Sequence, residues 1–141
     1  MITMNNQPLN LAEVQLFWQG TQISVASLSF TLSSTGYYCD SNGFVGTGGA
    51  GPCSASYCND GNINTVCYGG GTAADSLVIQ SNHVTQIDTI LIQNRQDANQ
   101  QNINGATIVL SYSGTVAWQT TVPSTAAASY TFNNGEQLCS F

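Results

Sequence analysis

The sequence has almost no positive charge, since its 141 residues contain no lysine, a single arginine and a single histidine. Seven carboxylates bring the formal net charge to −6. DNA and RNA are bound mainly through lysine and arginine, so we expect no nucleic-acid partner. Asparagine, glutamine, serine and threonine together supply 56 residues. A neutral surface rich in hydroxyl and amide groups suits an extracellular protein or one at the surface of a virus particle.

Long hydrophobic runs are also absent. No stretch reaches the roughly 18 apolar residues of a membrane span. Residues 1–9 have neither the basic nor the apolar part of a secretory signal. We therefore expect no membrane span. Two ways of reaching the outside of the cell stay open: export with a leader that is removed by processing, or incorporation into a virus particle made inside a cell. The length fits one domain, 1–141, with a single core.

Groupings of catalytic residues are missing as well. The only histidine, His83, has no nucleophile motif around it, and the carboxylates are scattered singly along the chain. Acid–base catalysis by carboxyl groups requires a pair whose environments separate their pKa values. The sequence therefore predicts a protein that is not an enzyme.

Cysteine, in contrast, is abundant for a domain of this size. No Cys-x-x-Cys pair occurs, and His83 lies 16 residues beyond the nearest preceding cysteine, which argues against zinc. Disulfides are the favoured interpretation. We predict two bonds, Cys58 with Cys67 and Cys39 with Cys53. Cys139 is then left as a free thiol or as a bond between subunits.

Apolar and polar residues alternate in seven short runs bounded by Gly, Asn or Ser, which is the pattern of half-buried strands. The turn pair Ser113-Gly114 separates two of these runs, and Ser33-Ser34 closes another. An antiparallel β-sandwich is the expected fold. The long segment 35–72 is expected to be a loop pinned by four cysteines. The predicted strands are 9–18, 22–32, 76–80, 86–93, 106–112, 115–122 and 129–132.

Five segments in order resemble the coagulation-factor-5/8 C-type (discoidin) and F-type fucose-binding lectin modules of the galactose-binding-like class. The resemblance covers about 8–132 and implies a jelly-roll sandwich. In the lectins, a strand similar to LAEVQLF is the last strand of the module, whereas in this chain it is among the first. The order of the strands therefore resembles a circular permutation. The segments are 9–17 (LNLAEVQLF), 29–34 (SFTLSS), 58–65 (CNDGNINT), 94–97 (NRQD) and 103–106 (INGA).

In the lectins, the acidic residue of that strand and the DGN loop hold a calcium ion. The resemblance therefore implies that Glu13 and the carbonyl of Ala12 face Asn59, Asp60 and Asn62. Calcium takes six to eight oxygen ligands, and an Asp-Gly-Asn turn offers several of them. The alternative is that Asp60 and Asn62 form an Asx turn with their own backbone and that Glu13 is a solvated carboxylate.

The fucose site of the lectins combines a histidine, the Arg and Asp of the NRxD motif, and a further basic residue. Arg95 and Asp97 match this pattern, whereas Tyr68 lies in the stretch that would hold the histidine and Asn102 stands at the basic position. These four are the candidate ligand-binding residues. For Arg95, we favour an intramolecular fork to Asp97 or to loop carbonyls.

Aromatic residues in the long loop offer either sugar-stacking platforms or a core for the loop itself. They are Tyr37, Tyr38, Phe44, Tyr57 and Tyr68.

Two classes of function compete. One is a structural or surface-assembly subunit of a filament, matrix or virus particle that binds copies of itself or other surface proteins. The other is a calcium-dependent module that binds carbohydrate. The missing histidine and second basic residue favour the first class, and so does the odd cysteine.

Overall fold

The computed structural model describes residues 1–4, 8–36, 39–40, 51–70, 75–81, 86–133 and 139–140. These residues form an all-β structure without an α-helix, which confirms the predicted fold class. Three 3-10 helices, η1 (Val25–Ser27), η2 (Ala55–Cys58) and η3 (Gln100–Ile103), accompany the strands. The strands are β1 Ile2–Thr3, β2 Asn10–Leu11, β3 Glu13–Trp18, β4 Thr21–Gln22, β5 Leu28–Leu32, β6 Cys67–Tyr68, β7 Ser76–Ser81, β8 Gln86–Ile87, β9 Thr89–Gln93, β10 Thr107–Tyr112, β11 Thr115–Thr121, β12 Ser129–Asn133 and β13 Cys139–Ser140.

Two antiparallel sheets form the body of the molecule. The larger has the order β11-β10-β1-β7-β5, and the smaller has the order β12-β9-β3-β4. Two further ladders, β13-β8 and β2-β6, have two strands each. The short ladder β2-β6 holds part of the segment 35–72 beside the start of β3.

Alternation along the strands explains the core. In β9, Ile90 and Ile92 are buried while their neighbours are half-buried. Side chains of both sheets enter one hydrophobic cluster. At its margin, the ring of Trp118 in β11 meets the ring of Phe132 in β12 edge to face, with centroids 6.4 Å apart. The two sheets therefore pack as a β-sandwich.

The hairpin β10-β11 forms as its sequence predicts. Ser113 and Gly114 have φ angles of 48° and 81°, and positive φ at both central positions is the geometry of a tight two-residue hairpin turn. The register shifts at Leu110/Ser111, where Ala117 is the extra residue of a β-bulge. Beyond the bulge, the alternation of inward and outward side chains along β11 is therefore shifted by one residue.

Five predictions differ from the structure in detail. The runs 9–18, 22–32 and 86–93 are each interrupted, because Ala12 separates β2 from β3, η1 separates β4 from β5 and Asp88 separates β8 from β9. The segment 35–72 is not wholly irregular, since it contains η2, strand β6 and an isolated bridge between Cys39 and Gly51. The strands β1 and β13 were not predicted. Tyr37, Tyr38, Phe44 and His83, as well as the side chain of Cys139, lie outside the described residues.

Candidate functional site

The turn at Asp60 is held by its own polar side chains. Asp60 Oδ1 accepts the N–H of Asn62 at 2.9 Å, and Asn62 Oδ1 accepts the N–H of Asn64 at 3.1 Å. The hydroxyl of Thr65 donates to Asp60 Oδ2 at 2.8 Å. Gly61 has φ +78°, a conformation that favours glycine. The segment therefore forms the Asx turns that we considered as the alternative to a calcium site.

Glu13 of β3 lies directly against this turn. Its side chain is buried, with 2% exposure, and Oε1 accepts the N–H groups of Gly61 at 2.8 Å and Asn62 at 3.1 Å. Burial, together with a hydrogen bond to Asp60, raises the pKa of Glu13 to about 7. The second half of the alternative, a solvated Glu13, is therefore wrong, because the turn covers this carboxyl group.

The structure brings together three of the five residues of the implied calcium set. Glu13, Asp60 and Asn62 meet across some 48 positions of sequence, and Ala12 and Asn59 flank them in the chain. Carboxylate and amide oxygens are the ligands that calcium prefers, so the kind of donor fits. Among the described residues, no three or more His, Cys, Asp or Glu side chains lie together so that they could hold a metal ion. The calcium site stays a prediction that rests on two carboxylates and an amide.

Arg95 is buried and paired within the chain. Its exposure is 3%, Nε donates to Asp97 Oδ1 at 2.6 Å, and Nη2 donates to Asp97 Oδ2. The hydrogen bonds from Arg95 hold the pKa of Asp97 below its ordinary value. This confirms the intramolecular fork that we favoured from the sequence. The only side-chain cation of arginine or lysine type is thus already neutralised by a carboxylate.

The neighbours of Arg95 fix the segment in place. Asn94 Nδ2 donates to the carbonyls of Gln100 at 2.7 Å and Ala127 at 3.0 Å. Gln96 Nε2 donates to the carbonyl of Ala128 at 3.1 Å. The Asn-Arg-Gln-Asp motif therefore joins the end of β9 to the loop before β12, which is a structural use of these residues.

Tyr68 and Asn102, the other candidate ligand residues, flank the short strand β2. Tyr68 in β6 pairs with Asn10 of β2, and η3, which contains Asn102, packs on the same strand. Both side chains are half-buried. None of the hydrogen bonds within the described ranges joins either residue to Arg95 or Asp97. Of the four predicted ligand residues, the structure therefore pairs two, Arg95 and Asp97.

Asp75 is a buried carboxylate that sequence reasoning missed. It has 0% exposure, and the hydroxyl of Ser34 donates to its Oδ1 at 2.5 Å. The backbone of Gly69 passes so close that an added Cβ would lie 2.4 Å from Asp75 Oδ2. The N–H of Gly70 donates to Ser34 Oγ at 2.8 Å. The glycine run before Asp75 was the available signal, since close backbone approach requires glycine.

Both predicted disulfides are confirmed. Cys39 is bonded to Cys53 and Cys58 to Cys67, with sequence separations of 14 and 9. All four cysteines are completely buried. The first bond packs with Ala12 and Val66 in a small second cluster, and the second bond enters the main core. The long loop is therefore anchored to the sandwich at both sulfur pairs.

Comparisons with protein-family models, with curated proteins and with solved structures gave no match to this chain. Within the described ranges, no helix combines the length and the apolar character that crossing a membrane requires. Two disulfides are compatible with an extracellular location.

Proposed function

We propose that this protein is a non-enzymatic assembly subunit of an extracellular structure or a virus-particle surface, built on a discoidin-like jelly-roll sandwich. Its partners are copies of itself or other surface proteins. The observation that carries the proposal is the Arg95–Asp97 fork. The two residues that would grip a sugar in the lectins bind each other, and the guanidinium is buried.

The rest of the chain supports the same function. The two disulfides tie the loop to the core, as suits a protein that persists in an oxidising environment. A surface with few charges allows copies to pack without burying ionised groups, which is costly.

The test is the size and mass of the native, non-reduced protein, measured by light scattering and sedimentation in calcium and then in chelator. We expect ordered assemblies larger than a dimer in both solutions. A monomer in both solutions at every concentration would contradict the proposal. Electrophoresis with and without reductant then reports whether Cys139 forms a covalent bond between subunits, which would give a ladder of multiples.

A second candidate is a calcium-dependent carbohydrate-binding module. The observation that favours it is the approach of Glu13 to the Asp60 turn, where Asn62 N–H donates to both carboxyl groups. When bound there, calcium would supply the positive charge that this pair lacks. Glu13, Asp60 and Asn62 would hold it together with the Ala12 carbonyl and Asn59, and the sugar would meet Arg95, Asp97, Tyr68 and Asn102.

Calorimetric titration with calcium, with magnesium as the matched control ion, tests the second candidate. Binding would appear as heat and as a higher melting temperature in calcium alone, and Asp60→Asn would weaken it. A glycan array in calcium then identifies the sugar. Equal melting temperatures in calcium, magnesium and chelator would remove this candidate and leave the assembly proposal in place.

A further inference from the structure

The strand β1 fills only part of the space between its two neighbours in the larger sheet. Both β10 and β7 have six residues, whereas β1 pairs with the first two of each. Met1 extends this contact by one residue, because it exchanges backbone hydrogen bonds of 2.6 Å and 2.8 Å with Val109. Residues 110–112 and 79–81 therefore flank a space that no described strand occupies. We call this space the acceptor groove.

Backbone groups line both sides of the acceptor groove. The N–H and C=O of Val109 point toward β1, and alternation along β10 turns those of Ser111 the same way. On the other side, the carbonyl of Asp75 accepts the N–H of Met4 at 2.9 Å, so the backbone of Ile79, four residues further on, also points into the groove. Because β11 and β5 bond the alternate residues, these groups of Ser111 and Ile79 have no partner among the described residues. Two facing rows of such groups bind an extended chain.

The floor of the groove is apolar and less covered than the rest of the core. At the level where β1 is present, Ile2, Leu77 and Ile108 are 2%, 0% and 1% exposed. Leu110 and Ile79 lie on the same inward face two residues further along β10 and β7, and both are only half-buried. A strand in the groove would cover them and place an apolar side chain between them, as Ile2 does at its own level.

The rim of the groove is polar and open to water. Ser111, Gln80 and Ser81 are exposed and uncharged, and the ammonium group of Met1 closes one end. This ammonium donates to the carbonyl of Val109, which leaves further N–H donors for a carbonyl of an incoming strand. A basic side chain near that end would be repelled. The groove therefore suits a segment without lysine or arginine in which apolar and polar residues alternate.

Among the described strands, β13 is the one whose release disturbs its own chain least. It follows every strand of the two main sheets and every disulfide-bonded cysteine, and it pairs with β8 alone. Its release breaks one ladder of two residues and leaves both main sheets complete. The sequence has the alternation that the groove requires, since Cys139 and Phe141 are apolar and Ser140 between them is polar. No lysine or arginine follows Arg95 in the chain.

We propose that the acceptor groove binds the β13 segment of a second copy, an inference that rests on the proposed assembly function and names its contact. The incoming segment runs in line with β1 and antiparallel to both β10 and β7, which is the stronger arrangement of paired strands. Donor and acceptor are different residues of the chain, so each copy can give one strand and receive another. Such head-to-tail contacts generate a filament, or a ring where the rotation between copies closes.

Two variants separate the two halves of this contact. In the first, Thr-Val-Thr-Val is placed directly before Met1, so that the chain fills its own groove and keeps its donor. In the second, residues 139–141 are removed, so that the chain keeps its groove and lacks a donor. Sedimentation velocity from roughly 1 μM to 1 mM covers the range in which a small interface is populated. We expect the unmodified protein to assemble, each variant alone to stay monomeric, and a mixture of the two to form pairs with one copy of each.

Thermal unfolding tests the groove independently of assembly. The added Thr-Val-Thr-Val is expected to raise the melting temperature by about 3–6 °C, because its last valine covers Leu110 and Ile79. Thr-Val-Thr-Asp is the matched control, since it puts a carboxylate at that inward position and should give no rise. Thr-Val-Asp-Val changes the neighbouring outward position instead and should raise the melting temperature as Thr-Val-Thr-Val does.

Circular dichroism first establishes that the variants fold. If the truncated chain does not fold, Ser140→Pro replaces it, because proline weakens the donor strand at full length. Assembly of either variant alone, as strong as that of the unmodified protein, overturns this inference and leaves the assembly function in place, and so does a mixture that forms no pairs. Equal melting temperatures for Thr-Val-Thr-Val and Thr-Val-Thr-Asp overturn it as well. An unmodified protein that stays monomeric at every concentration overturns the assembly function itself.

Discussion

Glu13 is held in a place where a carboxylate is costly. It is buried beside Asp60, and no lysine exists anywhere in the chain to offset its charge. Two N–H groups of the turn partly compensate, which lowers its pKa, but burial and the neighbouring carboxyl outweigh them. At neutral pH, Glu13 is therefore only partly ionised.

The pH dependence of stability follows from this raised pKa. Between about pH 4.5 and 7 the folded protein keeps a proton on Glu13 that the unfolded chain releases. The Glu13 contribution is therefore complete below pH 4.5 and is lost as the pH rises through 7. One pKa unit corresponds to about 1.4 kcal/mol, so its upper limit is on the order of 3 kcal/mol. Urea unfolding across this range, in chelator, measures it.

Glu13→Gln provides the comparison, because glutamine keeps the shape and cannot titrate. We expect the difference in unfolding free energy between the two proteins to change steadily between pH 4.5 and 7, with the unmodified protein losing stability relative to the variant. Parallel curves for the two proteins would show that Glu13 titrates normally.

The Arg95–Asp97 pair leads to a second prediction at this scale. Asp97→Ala leaves a buried guanidinium without its carboxylate, which is more costly than losing an exposed ion pair. Because the Asp97 side chain is 52% exposed, water reduces the penalty, and we expect a loss of about 1–3 kcal/mol. Denaturant unfolding measures the loss. Arg95→Lys should not preserve the pair with Asp97, since lysine lacks the planar fork of arginine.

A double-mutant cycle separates the pair from its surroundings. The variants are Arg95→Met, Asp97→Ala and their combination. A coupling free energy of about 1 kcal/mol or more is expected, since the residues share two hydrogen bonds. Losses that simply add, within about 0.5 kcal/mol, would mean that the fork contributes nothing beyond its separate side chains.

Among the structural elements, the segment 51–70 depends most on covalent bonds. It has one two-residue strand and one turn of 3-10 helix, so its backbone makes few ladder bonds. The disulfides replace the missing secondary structure. Replacing Cys39 and Cys53 together by alanine should cost about 2–4 kcal/mol, because the unfolded chain regains the freedom of a closed loop.

Thermal and denaturant unfolding of that double variant measure the cost. Val25→Ala serves as the control, because Val25 is exposed in η1 and its truncation should change the unfolding free energy by less than about 0.5 kcal/mol. If the loss of both cysteines were as small as the control, packing rather than the disulfide would anchor the loop.

Elements with a regular pattern could be predicted from the sequence, and very short ones could not. The hairpin β10-β11 and the strand β9 show alternation over five residues or more. The strands β1 and β6 have two residues each, too few for any period to show. Their positions are set by distant partners rather than by their own sequence.

At the scale of the molecule, the candidate site was predictable where local chemistry decides the structure. The disulfide pairs, the Arg95–Asp97 fork and the Asp60 turn each involve groups near one another in sequence. The surroundings of Asp75 could not be derived in this way. They depend on which strands become neighbours, and that information is spread over the whole chain.

The strand β1 sits at the centre of the larger sheet and joins residues 108 positions apart in the chain. During synthesis, β1, β7 and β5 can pair once β7 has emerged, whereas the other edge of β1 must wait until β10 has emerged. Folding dominated by such non-local pairing is slow, on the order of milliseconds to seconds. In that interval, the edge of β1 that later receives β10 is open to other chains. A newly made copy is therefore exposed to mispairing before it can take part in ordered assembly.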